Sequence, residues 1–156
     1  RRLGRIIPHC QQLPGQQLFQ YVDDEGQRQP IDSGMVNEYL REAMDGAVSA
    51  QDEGGFTAKD FRTWGATVRA IAHLACQTCT ENVSQTAFNK CVADTAKHVA
   101  EALGNTPTVC RKSYINPVVF TAWRAGALEK LVPHTSLPPK KMEKIALKVL
   151  RKQRKS

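Results

Sequence analysis

The chain has 156 residues, 41% of them hydrophobic, and a mean hydropathy of -0.43. This length can bury one sizeable core, so a single soluble domain is the first expectation. No stretch approaches the roughly 18 consecutive apolar residues that a membrane helix needs, and the first residues do not resemble a secretory signal. These features argue against a membrane protein and predict a cytoplasmic location.

The net charge of +7 comes from the C-terminal end of the chain. Residues 140–156 hold eight of the 22 basic side chains and a single acid, whereas residues 1–139 hold 14 basic and 14 acidic groups. Basic tails bind polyanions of many kinds. The tail therefore predicts either a direct contact with nucleic acid or a solvated helix face or disordered end, and both interpretations stay open.

The first third of the chain combines helical signals with one short extended segment. Residues 1–12 carry apolar side chains at helical spacing. Residues 18–22 are aromatic and β-branched and lead into a turn, which predicts an extended piece. Asp32 or Ser33 can cap the next helix, which should stop near Gly46. The apolar positions of that helix are Met35, Val36, Tyr39, Leu40 and Ala43.

Two long helices are predicted in the middle of the chain. After a polar loop at 49–55, Thr57 offers an N-cap to the first helix, which carries Arg62 in its first turns. Gly104 should end the second helix, because glycine adopts the left-handed backbone that closes a helix. The apolar positions of the two helices are Phe61, Trp64, Val68, Ile71, Leu74, Ala87, Val92, Ala96, Val99, Ala100 and Leu103.

Shorter helices are predicted in the last third. Thr106 and Pro107 have the residue types of an N-cap and a first helical position, and Tyr114 should lie at or just past the end of the short helix that they begin. Residues 117–131 predict another helix, and the basic terminal helix follows. Candidate core or docking positions in these last helices are Val118, Val119, Ala122, Trp123, Met142, Ile145, Leu147, Val149 and Leu150.

The five cysteines, an odd number, point to reduced thiols. The only closely spaced pair is Cys76 and Cys79, and a zinc site would need a second pair at matching spacing. A redox motif would need a strand that leads into a helix at this pair, whereas Cys76 follows a predicted helix. We therefore expect no metal site.

Three segments of the sequence carry a resemblance to a known family. They read LPGQQLFQY at 13–21, FTAKDFRTW at 56–64 and CRKSYINP at 110–117. In these segments the chain resembles the catalytic end of a type IB DNA topoisomerase, of the bacterial, poxvirus-like branch. The resemblance implies a mainly α fold, the helical catalytic domain shared by type IB topoisomerases and tyrosine recombinases, with a minor β element. Residues 1–139 are then expected to form the C-terminal part of this domain, and 140–156 its basic terminal helix or tail.

The implied reaction is the transient cleavage and rejoining of one strand of duplex DNA through a 3′-phosphotyrosyl bond, with Tyr114 as the nucleophile. Negative charge builds on the non-bridging phosphate oxygens during attack, and a planar guanidinium that donates two hydrogen bonds suits them, which selects Arg62. Asn105 is the expected neutral donor to the same oxygens, and Lys59 adds positive charge. The sequence contains no Gly-rich phosphate loop and no paired-carboxylate metal cluster, so neither ATP nor a metal cofactor is expected.

The resemblance also predicts a partner, duplex DNA, and a nucleoid-associated monomer without a small-molecule cofactor. The residues expected to contact DNA outside the catalytic set are Thr63, Thr106, Arg111, Lys112, Lys140 and Lys141.

Two features of the family pattern have no counterpart in this sequence. A second arginine and a hairpin lysine that protonates the leaving hydroxyl should both precede residue 1, so the chain is expected to be a fragment with little activity of its own. Asn105 stands where related enzymes often have histidine, and both side chains donate a hydrogen bond.

Two other classes of function remain open at this stage. A tyrosine recombinase uses a similar arginine and tyrosine arrangement, usually with the motif His-x-x-Arg. In this chain the corresponding residues, 59–62, read Lys-Asp-Phe-Arg. The lysine in place of histidine, together with Leu-Pro-Gly-Gln at 13–16, favours a topoisomerase. A non-catalytic helical DNA-binding module would leave Tyr114 without a chemical role. Taken singly, Arg62 is typical of a solvated helix residue and Asn105 of a turn residue.

Overall fold

The computed structural model describes residues 3–15, 17–44, 55–77, 83–132 and 137–153. The chain divides into two compact units, Arg1–Ala58 and Lys59–Ser156. The boundary lies at the start of the helix that carries Arg62. The predicted separation of residues 1–139 from 140–156 stays a prediction.

The described residues of the first unit contain two helices and a small antiparallel hairpin. The elements are α1 (Leu3–Gln11), β1 (Gln20–Val22), β2 (Arg28–Pro30) and α2 (Ser33–Ala43). Tyr21 lies opposite Gln29 in the hairpin register. The extended piece at 18–22 is thus confirmed in part, while β2 was not predicted because its residues are polar and end in proline.

Asp23 and Asp32 organise this unit through side-chain hydrogen bonds. The Asp23 carboxylate accepts from the Gln29 side chain at 2.9 Å and from the Gln27 N–H at 2.7 Å, and these bonds lower the pKa of that carboxyl. Asp32 accepts from the Met35 N–H at 2.9 Å and is the N-cap of α2, one of the two residues predicted for that position. No residue of α2 is buried, so its apolar positions do not form a core within the described residues.

The described residues of the second unit form helices joined by turns and short extended segments. Its elements are α3 (Ala58–Ala75), α4 (Gln85–Leu103), α5 (Pro107–Val109), a π-helical segment that we name the π turn (Cys110–Tyr114), α6 (Val118–Arg124) and α7 (Pro139–Gln153). The prediction of a mainly α chain with a minor β element is confirmed.

The apolar core lies in the second unit. Its largest fully buried side chains come from α3, α4, the π turn, α6 and the turn after α6, and they are Ile71, Leu74, Leu128, Val99, Val119, Thr95 and Cys110. Ala66 and Ala70 on α3 and Ala96 and Ala100 on α4 are also buried. All of these residues except the polar Thr95 belong to one continuous hydrophobic cluster. The core therefore brings together the helix of Arg62 and the segment of Tyr114.

The helix predicted over 117–131 is shorter than expected. Helix α6 ends at Arg124, and Gly126 has a positive φ of 65°. The Ala127 N–H donates to the Ala122 carbonyl at 2.9 Å and the Gly126 N–H to the Trp123 carbonyl at 2.9 Å. This pair of bonds is the Schellman motif, in which a glycine just past the helix satisfies its last carbonyls. Gly126 is therefore the missed stop signal.

Helix α7 buries one face against the core. Met142, Ala146 and Val149 are buried, at the i, i+4, i+7 spacing of a single helix face. Leu147, predicted among the docking residues, is 41% exposed, because its position falls outside that face. Ile145 and Leu150 lie at the edge of the face and are half-buried.

A polar network joins α3 to α4 and α6 inside this unit. The Cys91 thiol donates to the Gln77 side-chain oxygen at 3.0 Å, and the Trp123 indole N–H donates to the Gln77 carbonyl at 3.1 Å. The Gln77 amide nitrogen then faces His73 Nε2 at 2.7 Å, an arrangement that needs a neutral His73. Burial lowers the pKa of His73, and the stacked His98 ring, 4.4 Å away, lowers it further, while Asp94 opposes the shift.

This lowered pKa predicts that the domain loses stability in mild acid. Below the ordinary histidine pKa of about 6.5, the unfolded chain binds a proton at His73 more readily than the folded chain does, so the free energy of unfolding falls as pH falls. Urea unfolding at pH 7.5 and 5.5 checks this. In His73→Gln the loss of stability should be smaller than in the wild type and in a His9→Gln control. An identical loss in all three proteins contradicts the prediction.

Candidate active site

The π turn carries Tyr114 at its last position. It continues α5, whose N-cap is Thr106: the Thr106 hydroxyl accepts from the Val109 N–H at 3.3 Å, and Pro107 follows at the first helical position, as predicted. The Ile115 N–H donates to the Cys110 carbonyl at 2.9 Å, which is the wide hydrogen bond of a π-helix. Single π-helical turns are frequent at functional sites. The sequence predicted the end of a short helix here but not its π geometry.

Arg62 lies against this tyrosine. Its guanidinium carbon is 5.3 Å from the centre of the Tyr114 ring, within the range of a cation–π contact. One guanidinium nitrogen donates to the Leu103 carbonyl at 2.6 Å, at the C-terminal end of α4. The side chain is nevertheless exposed. Arg62 therefore connects α3, α4 and the π turn while remaining open to a ligand from solvent.

Asn105 follows two residues after the carbonyl that Arg62 binds. Gly104 ends α4 in the left-handed region, with φ 65°, and the Asn105 N–H donates back to the Ala100 carbonyl at 3.1 Å. The amide nitrogen of the Asn105 side chain is buried and has no hydrogen-bond partner among the described residues. A buried donor without an acceptor costs about 1–3 kcal/mol, so this amide stands to gain from an acceptor that a ligand supplies.

Cys110 is a buried thiol in the same segment as Tyr114. It is the first residue of the π turn and is fully buried. Burial raises the pKa of the Cys110 thiol above its ordinary value, and the positive charge of Arg62 opposes that shift in part. A thiol held protonated is a weak nucleophile, so it leaves the chemistry of this region to other groups.

The other predicted catalytic residue, Lys59, lies one turn before Arg62 on α3 and is exposed. It shares the helix of Arg62 but not the ring contact that joins Arg62 to Tyr114. Thr63 is half-buried beside Arg62, and Arg111 and Lys112 are exposed on the π turn. The structure thus brings Arg62, Tyr114 and the segment of Asn105 together and places these other residues around them.

Lys140 and Lys141 begin α7, away from this cluster in the chain. Both are exposed, and no hydrogen bond or ring contact of the described residues joins either lysine to Arg62 or Tyr114. Helix α7 packs on α6, the helix that follows Tyr114. The two lysines therefore take no part in the contacts that join Arg62 to Tyr114.

The described residues offer no metal site. No group of three or more His, Cys, Asp or Glu side chains among them is arranged to hold an ion. Cys76 is an exposed free thiol, and its predicted neighbour Cys79 lies outside the described ranges. The expected absence of a metal or other cofactor stays a prediction.

Comparison with known proteins shows the family to which this chain belongs. Residues 3–125 match the model of a family described as eukaryotic DNA topoisomerase I, catalytic core, and the chain belongs to this family. A DNA topoisomerase 1B of Acanthamoeba polyphaga mimivirus is 31% identical over 114 residues, which cover 70% of this chain and 32% of that relative. The chain therefore spans about a third of the length of this relative.

The predicted resemblance to type IB topoisomerases is confirmed by both matches. The relative is viral, and assignment to a bacterial branch stays a prediction. In the described part of the chain, none of the helices combines the length and the apolar character that crossing a bilayer requires.

Proposed function

We propose that this chain supplies the nucleophile and part of the transition-state stabilisation in a type IB DNA topoisomerase. The Tyr114 phenol oxygen attacks a phosphodiester of duplex DNA, forms a 3′-phosphotyrosyl bond and releases a 5′-hydroxyl. The reverse attack reseals the strand after supercoils have relaxed. The bond energy is retained in the phosphotyrosine, so the cycle uses neither ATP nor a metal ion.

The observation that carries the proposal is the Arg62 guanidinium on the Tyr114 ring, 5.3 Å from its centre, in a chain of this family. A phenol is largely protonated at neutral pH and must lose its proton as it attacks, which nearby positive charge favours. The same guanidinium is exposed and can donate to the phosphate oxygens on which negative charge builds. Lys59, one turn earlier on α3, adds to the positive field.

Asn105 is proposed as the neutral donor to the same oxygens. Its side-chain amide nitrogen is buried and lacks a partner among the described residues, so it needs to turn towards the phosphate when DNA binds. Thr106 already uses its hydroxyl oxygen to cap α5, but its O–H remains able to donate to a phosphate. Thr63, Arg111 and Lys112 are proposed to contact the DNA backbone around the tyrosine.

Covalency tests the proposal. A duplex whose scissile 5′ oxygen is replaced by sulfur releases a thiolate, which departs without an acid to protonate it, so the test does not depend on the leaving-group acid. The wild-type chain should form a protein–DNA adduct that survives denaturation on a gel. A non-catalytic DNA-binding module forms none, and absence of adduct at saturating protein contradicts the proposed function.

The basic face of α7 is proposed as a second contact with duplex DNA. Its exposed basic side chains lie outside the buried face and are Lys140, Lys141, Lys144, Lys148, Arg151 and Lys152. Lysines and arginines that neutralise phosphates release counterions, which makes binding weaken with salt. We propose that the protein acts as a monomer and that this contact with duplex DNA associates it with the nucleoid.

Replacing Lys140 and Lys141 by glutamine should therefore weaken duplex binding and its dependence on salt. Each lost phosphate contact reduces the magnitude of the slope of log K against log salt by about 0.9. The magnitude of this slope should therefore be smaller by about 1 to 2 in the double variant than in the wild type. Fluorescence anisotropy over a series of NaCl concentrations measures this slope. The matched control replaces two exposed lysines of α4, Lys90 and Lys97, and should keep the wild-type slope. Equal slopes in all proteins would show that Lys140 and Lys141 do not contact DNA phosphates.

A further inference from the structure

Thr67 links the helix of Arg62 to the backbone of Tyr114. It lies on α3, five residues after Arg62, and is 2% exposed. Its hydroxyl donates to the Tyr114 carbonyl at 3.4 Å and accepts from the Asn116 N–H at 3.2 Å. The buried Thr67 side chain thus hydrogen-bonds the backbone of Tyr114 and of Asn116, the two residues that flank Ile115.

The backbone at this point needs partners from another element. Ile115 is extended, with φ -94° and ψ 122°, so the helical hydrogen-bond series stops at the π turn. Pro117 has no N–H, and the Asn116 side chain is already used to accept from the Val118 N–H at 3.0 Å. The Tyr114 carbonyl and the Asn116 N–H meet the Thr67 hydroxyl instead, and both bonds lie in a part-buried region where an unpaired group is costly.

We propose that Thr67 is a positioning residue that fixes Tyr114 relative to Arg62, an inference that rests on the proposed function. Arg62 and Thr67 belong to one rigid helix. A hydrogen bond from Thr67 to the Tyr114 backbone therefore fixes the position of the Tyr114 phenol relative to the Arg62 guanidinium before the reaction. Misplacing a reacting group by about 1 Å can cost about a hundredfold in rate. Thr67 itself is buried and does not touch DNA.

Thr67→Val tests this role, because valine keeps the shape of threonine but removes the hydroxyl. We expect the single-turnover rate of adduct formation on the sulfur-substituted duplex to fall about tenfold to a hundredfold, with the Kd for duplex unchanged. Thr67→Ser restores the hydroxyl and should recover most of the rate. Thr95→Val is the matched control: Thr95 is also fully buried, and its hydroxyl has no hydrogen-bond partner among the described residues, so it should cleave at the wild-type rate.

A second measurement keeps the inference independent of catalysis. Tyrosines labelled with ¹³C at the single ring carbon that bears the hydroxyl (Cζ) give three signals, since the chain has three tyrosines, and Tyr114→Phe identifies the one from Tyr114. That signal should shift or broaden in Thr67→Val and stay in place in Thr95→Val. If Thr67→Val does not fold, Thr67→Cys, which is close in size and bonds weakly, takes its place and should move the same signal.

The outcomes separate the two claims. A wild-type chain that forms no adduct contradicts the proposed function, whereas the position of the Tyr114 signal still decides the role of Thr67. An unchanged Tyr114 signal in Thr67→Val, or cleavage at the wild-type rate in that variant, overturns the inference about Thr67 alone. Equal slowing in Thr67→Val and Thr67→Ser also overturns it, because the hydroxyl is then irrelevant.

Discussion

Tyr114→Phe should form no covalent adduct with the sulfur-substituted duplex while binding that duplex as tightly as the wild type. Phenylalanine keeps the ring that packs beside Arg62 and removes only the attacking oxygen. Tyr114 is half-buried, and the change leaves its backbone bond with Thr67 in place. Adduct is measured on a denaturing gel, and non-covalent binding by anisotropy under the same conditions.

The matched control for this change is Tyr39→Phe. Tyr39 lies on α2 in the first unit and is 68% exposed, so the loss of its hydroxyl should change neither adduct formation nor binding. A Tyr114→Phe protein that still forms adduct would show that another residue is the nucleophile.

Arg62→Ala should slow adduct formation by about 10²–10³, the usual cost of removing one well-placed donor to a developing oxyanion. The change also removes the ring contact with Tyr114 and the bond to the Leu103 carbonyl. Arg62→Lys keeps the charge but loses the planar pair of donors, so it should recover only part of the rate. Single-turnover rates at saturating protein separate this effect from weaker binding.

Arg69→Ala provides the comparison, since Arg69 is an exposed arginine two turns further along the same helix. It should cleave at nearly the wild-type rate. If Arg62→Ala and Arg69→Ala slow cleavage to the same small extent, Arg62 acts only through the overall charge of α3 and the proposed role is wrong.

Helix boundaries were predicted well where a single residue decides the backbone. Asp32 caps α2, Gly104 closes α4 with a positive φ, and Thr106 with Pro107 begins α5, all as expected from their side-chain chemistry. Gly126 is the counterexample. The predicted helix runs past it to residue 131, whereas the left-handed backbone at this glycine ends the helix at Arg124.

The candidate site was predicted through resemblance rather than through local signals. Arg62 and Tyr114 are distant in sequence, and only the packing of α3 and the π turn within one core brings them within 5.3 Å. No periodicity reports such a long-range contact. The family resemblance predicted Arg62 and Tyr114. The structure shows in addition that the Arg62 guanidinium donates a hydrogen bond to the Leu103 carbonyl.

Thr67 was not predicted because its proposed role depends on the backbone geometry around Tyr114. Thr67 does carry a weak signal, since it is a polar residue next to Ala66 on a face that continues through Ala70 and Leu74. A buried threonine in such a face needs partners, and those partners are the backbone groups beside Tyr114. Cys110 is the buried first residue of the π turn, whose geometry the sequence did not predict.

The measurement that tests the central claim most directly is the site of DNA attachment in the adduct. The wild-type adduct is digested with protease and nuclease, and the peptide that carries the nucleotide is sequenced by mass spectrometry. We predict that the Tyr114 phenol oxygen carries a nucleotide that is attached through its 3′-phosphate. Attachment at Tyr21, at Tyr39 or at a cysteine would contradict the assignment of the nucleophile and of the site built around it.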